Sequence, residues 1–341
     1  MTLRQKLTGL VLAAALTGSV AACGGDDDAA SSGSNEDAIK VGLLTDKGQL
    51  NDRGFNELAY NGLKRAEKEL GVQGRVLQAA TAADYVPNMA SLVRQDYDLI
   101  IGVGFAQGDA VAKAASRFPD TKFEIIDVDQ SGLAGKPKNV VGLLFKEEQV
   151  GYLAGYAAGL AEKRQLGGRV VSSVGGMKEP PVDRFIAGYR AGAQTAFPGV
   201  KVLNGYSQDW EDVAKCKELA LSQIEQGSGV VFQVAGGCGL GALDAAKQKQ
   251  VWGIGVDADQ SFLGPHVLTS ALKRVDEAVF STIESAQDGS WKGGRNLVFG
   301  LSQGGVGLGT FSPKFPQEDR AAIDAVAKKI AAGDVKIPTS L

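Results

Sequence analysis

Residues 45–56, Thr-Asp-Lys-Gly-Gln-Leu-Asn-Asp-Arg-Gly-Phe-Asn, set carboxylates, amides and an aromatic ring where a strand-like run gives way to a helix-like one. Asp46, Asn51 or Asp52 taken singly could do no more than satisfy loop or helix N–H groups. Taken whole, the loop favours a ligand, because Phe55 places a flat apolar face beside polar groups. A second constellation, Gly175-Gly176-Met177-Lys178-Glu179-Pro180-Pro181-Val182-Asp183-Arg184-Phe185, uses its prolines to set a helix entry. Phe185 in that first turn either packs into the core or forms a second aromatic wall. The chemistry on offer is recognition of a flat ring and its polar edge.

A third stretch, Val234-Ala235-Gly236-Gly237-Cys238-Gly239-Leu240-Gly241-Ala242, contains the dinucleotide spacing at Gly237, Gly239 and Ala242, with Asp257 twenty residues beyond Gly237. Alone this fingerprint is weak. Its milder meaning is that glycines such as Gly237 let backbone approach a ligand and a crossing helix closely. Lys273 is either a surface lysine or a cleft donor to hydroxyl oxygens. Trp210 packs a helix start as readily as it lines a site, and His266 reads as a structural or solvent-facing strand residue. Gly304–Gly309 is a glycine-rich turn or strand pair, since no Lys-Ser/Thr follows it as in a phosphate loop.

These groups must be positioned by a repeating unit: a short β-branched run, a Gly/Asp turn, then an amphipathic stretch. Strand-like runs fall at 39–45, 75–80, 98–104, 122–128, 139–145, 168–174, 200–206, 229–235 and 251–257. Most are near-continuous hydrophobics, as strands covered on both faces require. Helix-like stretches lie between them at 55–70, 107–118, 147–164, 182–197, 210–226 and 239–249. Phe55, Leu58, Ala59, Leu63, Ala66 and Leu70 follow helical spacing, and Gly71 supplies the stop. The alternation predicts an α/β protein with parallel sheets and right-handed crossovers. So many strands suit two lobes better than one open sheet. The break falls near Phe145-Lys146, and no strong internal repeat stands out. Asp46, Asp127, Gly237 and Asp257 all fall at strand ends, where open α/β sheets bind ligands.

The chain has 341 residues, 44% apolar and 22% charged, with a formal charge of −3. That length suits about two domains, and the acidic balance argues against a nucleic-acid surface. One histidine, His266, removes most metal sites and every triad needing a second imidazole. Arg4 and Lys6 precede an apolar run from Leu7 to Ala22, too short for a comfortable bilayer span and built like an export signal. It ends Val20-Ala21-Ala22-Cys23, which looks like a bacterial lipobox, with cleavage before Cys23 and lipid on that cysteine. An ordinary secretory signal with an incidental cysteine is the alternative. Residues 23–37, mostly Gly, Asp, Ala and Ser, form a flexible spacer. Cys216 and Cys238 remain as an even pair in an oxidising compartment, either disulfide-bonded or two separate buried thiols.

Together these motifs resemble the basic membrane lipoprotein family, the purine nucleoside receptor type of ABC-transporter substrate-binding protein. The matching pieces are 45–56, 123–130, 175–192, 231–241, 254–260 and 268–279, in the family's order. The resemblance implies a type I periplasmic-binding-protein fold, each lobe a parallel sheet flanked by helices. It implies a first lobe of 38–145 plus about 262–290, and a second of 146–261 plus about 291–341. Phe55 and Phe185 would sandwich a base, while Asn51 and Asp127 read its edge. Asp257 and Lys273 would hold ribose hydroxyls, and Asp46 would orient the cleft loop or touch ligand. The implied partners are a nucleoside, purine in kind, an ABC permease and the membrane through the lipid anchor. The receptor would be a monomer on the extracytoplasmic face, without cofactor, metal or nucleic acid. Relatives also resemble receptors for flavins or sugars. A nucleotide-dependent enzyme and a surface adhesin with a vestigial cleft are the rival classes. Arg53-Gly54 and Cys238 depart from the family's usual residues, which bears on selectivity.

Overall fold

The computed structural model describes residues 38–164 and 168–341. The expected signal peptide, Cys23 and the spacer lie outside them. The first sheet opens with β1 (Lys40–Thr45), α1 (Phe55–Leu70), β2 (Gln73–Gln78), α2 (Tyr85–Val93) and β3 (Leu99–Gly102). It continues through α3 (Gly108–Arg117), β4 (Lys122–Ile126) and β5 (Val140–Phe145). After α4 (Glu147–Arg164) the chain repeats the plan with β6 (Val170–Gly175), α5 (Pro180–Ala196), β7 (Lys201–Tyr206) and α6 (Val213–Glu225). Then come β8 (Ser228–Val234), α7 (Gly239–Gln248), β9 (Trp252–Asp257) and β10 (Val267–Lys273). The last elements are α8 (Val275–Gln287), β11 (Arg295–Phe299), β12 (Val306–Leu308) and α9 (Gln317–Ala332).

Among the described residues two six-stranded sheets result, ordered β11-β5-β4-β3-β1-β2 and β12-β10-β9-β8-β6-β7. All pairings are parallel except β10 with β12. Both faces of each sheet are covered, which is why the strands read as unbroken apolar runs. In β1, for instance, Val41 and Leu43 enter one core cluster and Leu44 another.

The sheet orders correct two expectations. Residues 262–290 do not join the first lobe as a block, because β10 pairs with β9 from Val267 to Leu272 in the second sheet. The crossing comes after Lys273. Then α8 packs on α1, with Arg65 Nη1 2.9 Å from Glu277 and the Arg65 guanidinium 3.8 Å above the Phe280 ring. β11, expected in the second lobe, instead pairs with β5 and covers that strand's free edge. Each sheet thus takes its sixth strand from the C-terminal part of the chain. The sheets share one order, and Asp-x-Asp-Gln recurs at 127–130 and 257–260, after the corresponding strands β4 and β9.

Glycine shapes the helix layer of the second lobe. Gly151, Gly155 and Gly159 of α4 face Gly188 and Gly192 of α5 so closely that side chains would collide with the opposing backbone. A Cβ on Gly159 would stand 2.7 Å from Ala193 O. α6 starts only at Val213, capped by Asp212 Oδ1 accepting from Ala214 N at 3.0 Å, so Trp210 sits in the preceding turn.

Candidate functional site

The carboxyl ends of the two sheets enclose a cavity of about 230 Å³. For scale, a dry cavity of roughly 150 Å³ holds benzene. Asp46, Asn51 and Phe55 reach it from the β1–α1 connection, and Asp127 from the end of β4. Phe185 comes from α5, Gly237 from the turn after β8, Asp257 from the end of β9 and Lys273 from the end of β10. Every residue that the sequence nominated for ligand contact therefore lines one space.

Asp127 and Asp257 both hold left-handed backbone, at φ 72° and 63°. Aspartate tolerates that region better than most residues, and the reversal lets the chain leave the sheet abruptly. The second aspartate of each repeat then fastens the turn. Asp129 Oδ1 accepts from Ser131 N at 2.8 Å and Asp259 Oδ1 from Ser261 N at 3.1 Å. Gln260, buried beneath, donates from Nε2 to Arg53 O at 3.2 Å, a bond from the second lobe to the first.

The electrostatic centre is Lys273, only 2% exposed. Its Nζ donates to Asp127 Oδ1 and Oδ2 at 2.6 and 2.7 Å and to Glu147 Oε1 at 3.0 Å. Arg184 Nε completes the network at 2.9 Å from Glu147 Oε2. All three ammonium protons are spent on carboxylates, the condition under which a buried ion pair holds its own against desolvation. The same ammonium lies 5.1 Å from the Phe55 ring centre, 4.9 Å from Phe145 and 6.0 Å from Phe185, within cation–π range. Burial pushes Asp127 up to about 6 even though Lys273 pulls the other way. Burial likewise pushes Asp257 up to about 7; Lys273 opposes that rise, and Asp52 and Asp127 add to it.

The acids divide by what they already hold. Asp46 Oδ1 accepts from Lys47 N at 2.6 Å and from the Tyr85 hydroxyl. Asp52 accepts from Gly54 N and Asn56 N at 2.9 Å and from Glu57 N at 3.2 Å, so it fixes the first turn of α1. Asp127 is taken up by Lys273. Asp257 has no hydrogen-bond donor on its carboxyl group among the described residues, though it is 7% exposed. Glu179 likewise lacks one, and burial with the facing Asp46 pushes it up to about 7. These two carboxyl groups are free to meet a ligand.

The aromatic walls differ. Phe55 is half-buried, whereas Phe185 also belongs to the core and meets Phe232 edge-on at 6.2 Å. Sequence reasoning did not single out Asn56 and Glu179 as lining residues, and Asp52 and Trp210, which it left open, line the cavity too. Asn56 and Asp52 flank Phe55 in the same motif, and that adjacency was the available signal. Trp210 explains a glycine: a side chain on Gly176 would collide with its indole. The glycines of the 234–242 stretch have packing duties too, Gly239 against Gln233 and Gly241 against the start of α6. Cys216 of α6 and Cys238 are joined as a disulfide with Cα atoms 5.6 Å apart, which anchors the turn bearing Gly237.

The sequence model of the family described as ABC transporter substrate-binding protein, PnrA-like, matches residues 39–340. The chain belongs to this family. The PnrA-like chain is 33% identical over 323 residues to a protein of Lactococcus lactis named ABC transporter nucleoside-binding protein BmpA, covering 88% of this chain and 89% of that one. It is 36% identical over 284 residues to an uncharacterized lipoprotein of Pyrococcus horikoshii, covering 79% and 68%. A crystal structure of an ABC transporter solute-binding protein from Aeropyrum pernix superposes with a TM-score of 0.81 at 28% identity, covering 88% of this PnrA-like chain and 93% of that one. The two-sheet α/β architecture is that of periplasmic solute-binding proteins. The family's members are the substrate-binding components of ABC transporters.

Proposed function

We propose that this PnrA-like protein captures a nucleoside, specifically a purine nucleoside, between its lobes and hands it to an ABC permease. The observation that carries the reading is the pairing, in one cavity, of two phenyl walls with a buried carboxyl group that no protein donor occupies. Stacking on Phe55 and Phe185 contributes about 1–3 kcal/mol per base, by analogy with single-strand binders. Asp257 accepts from vicinal sugar hydroxyls, a charge-assisted contact when it is ionised. Lys273 holds Asp127 in place at the cavity wall, and Asp46 steadies the loop that carries Asn51 and Phe55. Ligand bridging both lobes shifts the hinge equilibrium toward closure.

The protein works as a monomer tethered by lipid on Cys23 to the outer face of the membrane. The name of the Pyrococcus relative, a lipoprotein, supports that placement. Calorimetric titration of the purified protein with purine and pyrimidine nucleosides, free bases, sugars, riboflavin and NAD tests the reading. Inosine, guanosine or adenosine is expected to bind best, with no turnover product. Asp257→Asn weakens inosine binding far more than hypoxanthine binding. A preference for riboflavin or a sugar would replace nucleoside with that ligand, and equal losses for riboside and base would remove Asp257 from the sugar.

A further inference from the structure

The 46–56 connection buries one side chain whose acceptor meets nothing. Asn56 is 4% exposed and lines the cavity, and its Oδ1 has no hydrogen-bond partner among the described residues. Its backbone N–H is committed to Asp52 Oδ2 at 2.9 Å, so the residue is fixed in the first turn of α1. Gly48, at φ +115°, roofs the carboxamide closely: a Cβ there would stand 3.2 Å from Nδ2. An amide oxygen buried without a donor is unfavourable by more than a typical hydrogen bond contributes. The acceptor therefore belongs opposite a donor that arrives with the ligand. Unlike the neighbouring acids it is uncharged, so it can accept from a neutral N–H without a counter-ion.

We propose that Asn56 Oδ1 accepts a hydrogen bond from an N–H on the edge of the bound base, and so separates bases that carry such an N–H from the same ring without it. The inference rests on the nucleoside reading above. Consecutive helix residues point about 100° apart, so a ring lying flat on Phe55 turns its edge toward Asn56. Asn56 is thus a specificity-determining contact beside the stacking wall.

The test is calorimetry with inosine, adenosine and purine riboside, whose base carries no N–H, on wild-type protein and Asn56→Ala, each checked for folding by thermal melting. Wild-type protein prefers inosine or adenosine over purine riboside by about tenfold or more, the order expected when a buried acceptor loses its donor. Asn56→Ala brings the three affinities to within about threefold, the level at which the lost bond no longer discriminates. Should Asn56→Ala not fold, Asn56→Leu, of similar shape and without an acceptor, is read by the same criterion. A preference that survives unchanged in the folded variant overturns the inference, as does wild-type protein that binds purine riboside as tightly as inosine. Wild-type protein indifferent to all three compounds removes the functional reading itself, and the inference falls with it.

Discussion

Asp127 and Asp257 occupy the same place in two copies of one architecture and live in different chemistry. Each follows the third strand inward from its sheet's outer β2 or β7 edge, counting parallel neighbours, and each opens an Asp-x-Asp-Gln turn in left-handed backbone. Asp127 gives both oxygens to Lys273, while Asp257 has no protein donor among the described residues. The cause lies one strand away. β10 ends in Lys273, and its counterpart β5 ends in Phe145, whose ring lies 4.9 Å from that same ammonium. One lysine stands near a pair of equivalent aspartates, and it crosses to the other sheet to bind Asp127 alone of the two. Topology places a carboxyl group; the neighbour decides whether it is a structural counter-ion or a free contact.

The largest expected effect breaks the paired side. Lys273→Met leaves Asp127 buried without its cation and Glu147 with Arg184 alone, and removing one partner of such a network costs about 3–5 kcal/mol. Chemical denaturation at pH 8 should show that loss, and a smaller one at pH 5, where protonation relieves Asp127. A melting curve close to the parent's at pH 8 would mean the pair is not structural. Asp257→Asn should behave in the opposite way. Its folded pKa is raised to about 7 from an unfolded value near 3.9. An acid raised on folding binds more protons in the native state, so its contribution to stability falls as pH climbs from about 4 to about 7 and then levels off. The variant should therefore match or exceed the parent's stability at pH 8 and lose that advantage toward pH 5. A variant less stable than its parent at pH 8 would show that Asp257 too is a structural counter-ion.

Much of this was legible in the residues. Strands buried on both faces announce themselves as apolar runs, and polar residues at their ends mark the cleft edge because little else tolerates those turns. The lobe crossovers were not legible. Nothing local in Leu-Thr-Ser-Ala-Leu-Lys says which sheet β10 joins, since a strand's partners are a matter of long-range pairing. The likeness of the two halves was hidden because Asp-x-Asp-Gln is too short to stand out until the strand orders are compared. Lys273 was recognisable as a cleft residue. That its ammonium is spent on Asp127 and Glu147 follows only from three separate segments meeting, 127, 147 and 273. Asn56 went unnoticed for a similar reason: an orphan acceptor is visible only once every donor around it has been placed.

The most direct measurement is a crystal structure of the protein soaked with inosine. The account predicts the hypoxanthine ring between Phe55 and Phe185, with the ribose hydroxyls on Asp257 and the Lys273–Asp127 pair intact behind it. Inosine bound elsewhere, or a ribose turned away from Asp257 with the base outside the two phenyl rings, would contradict it.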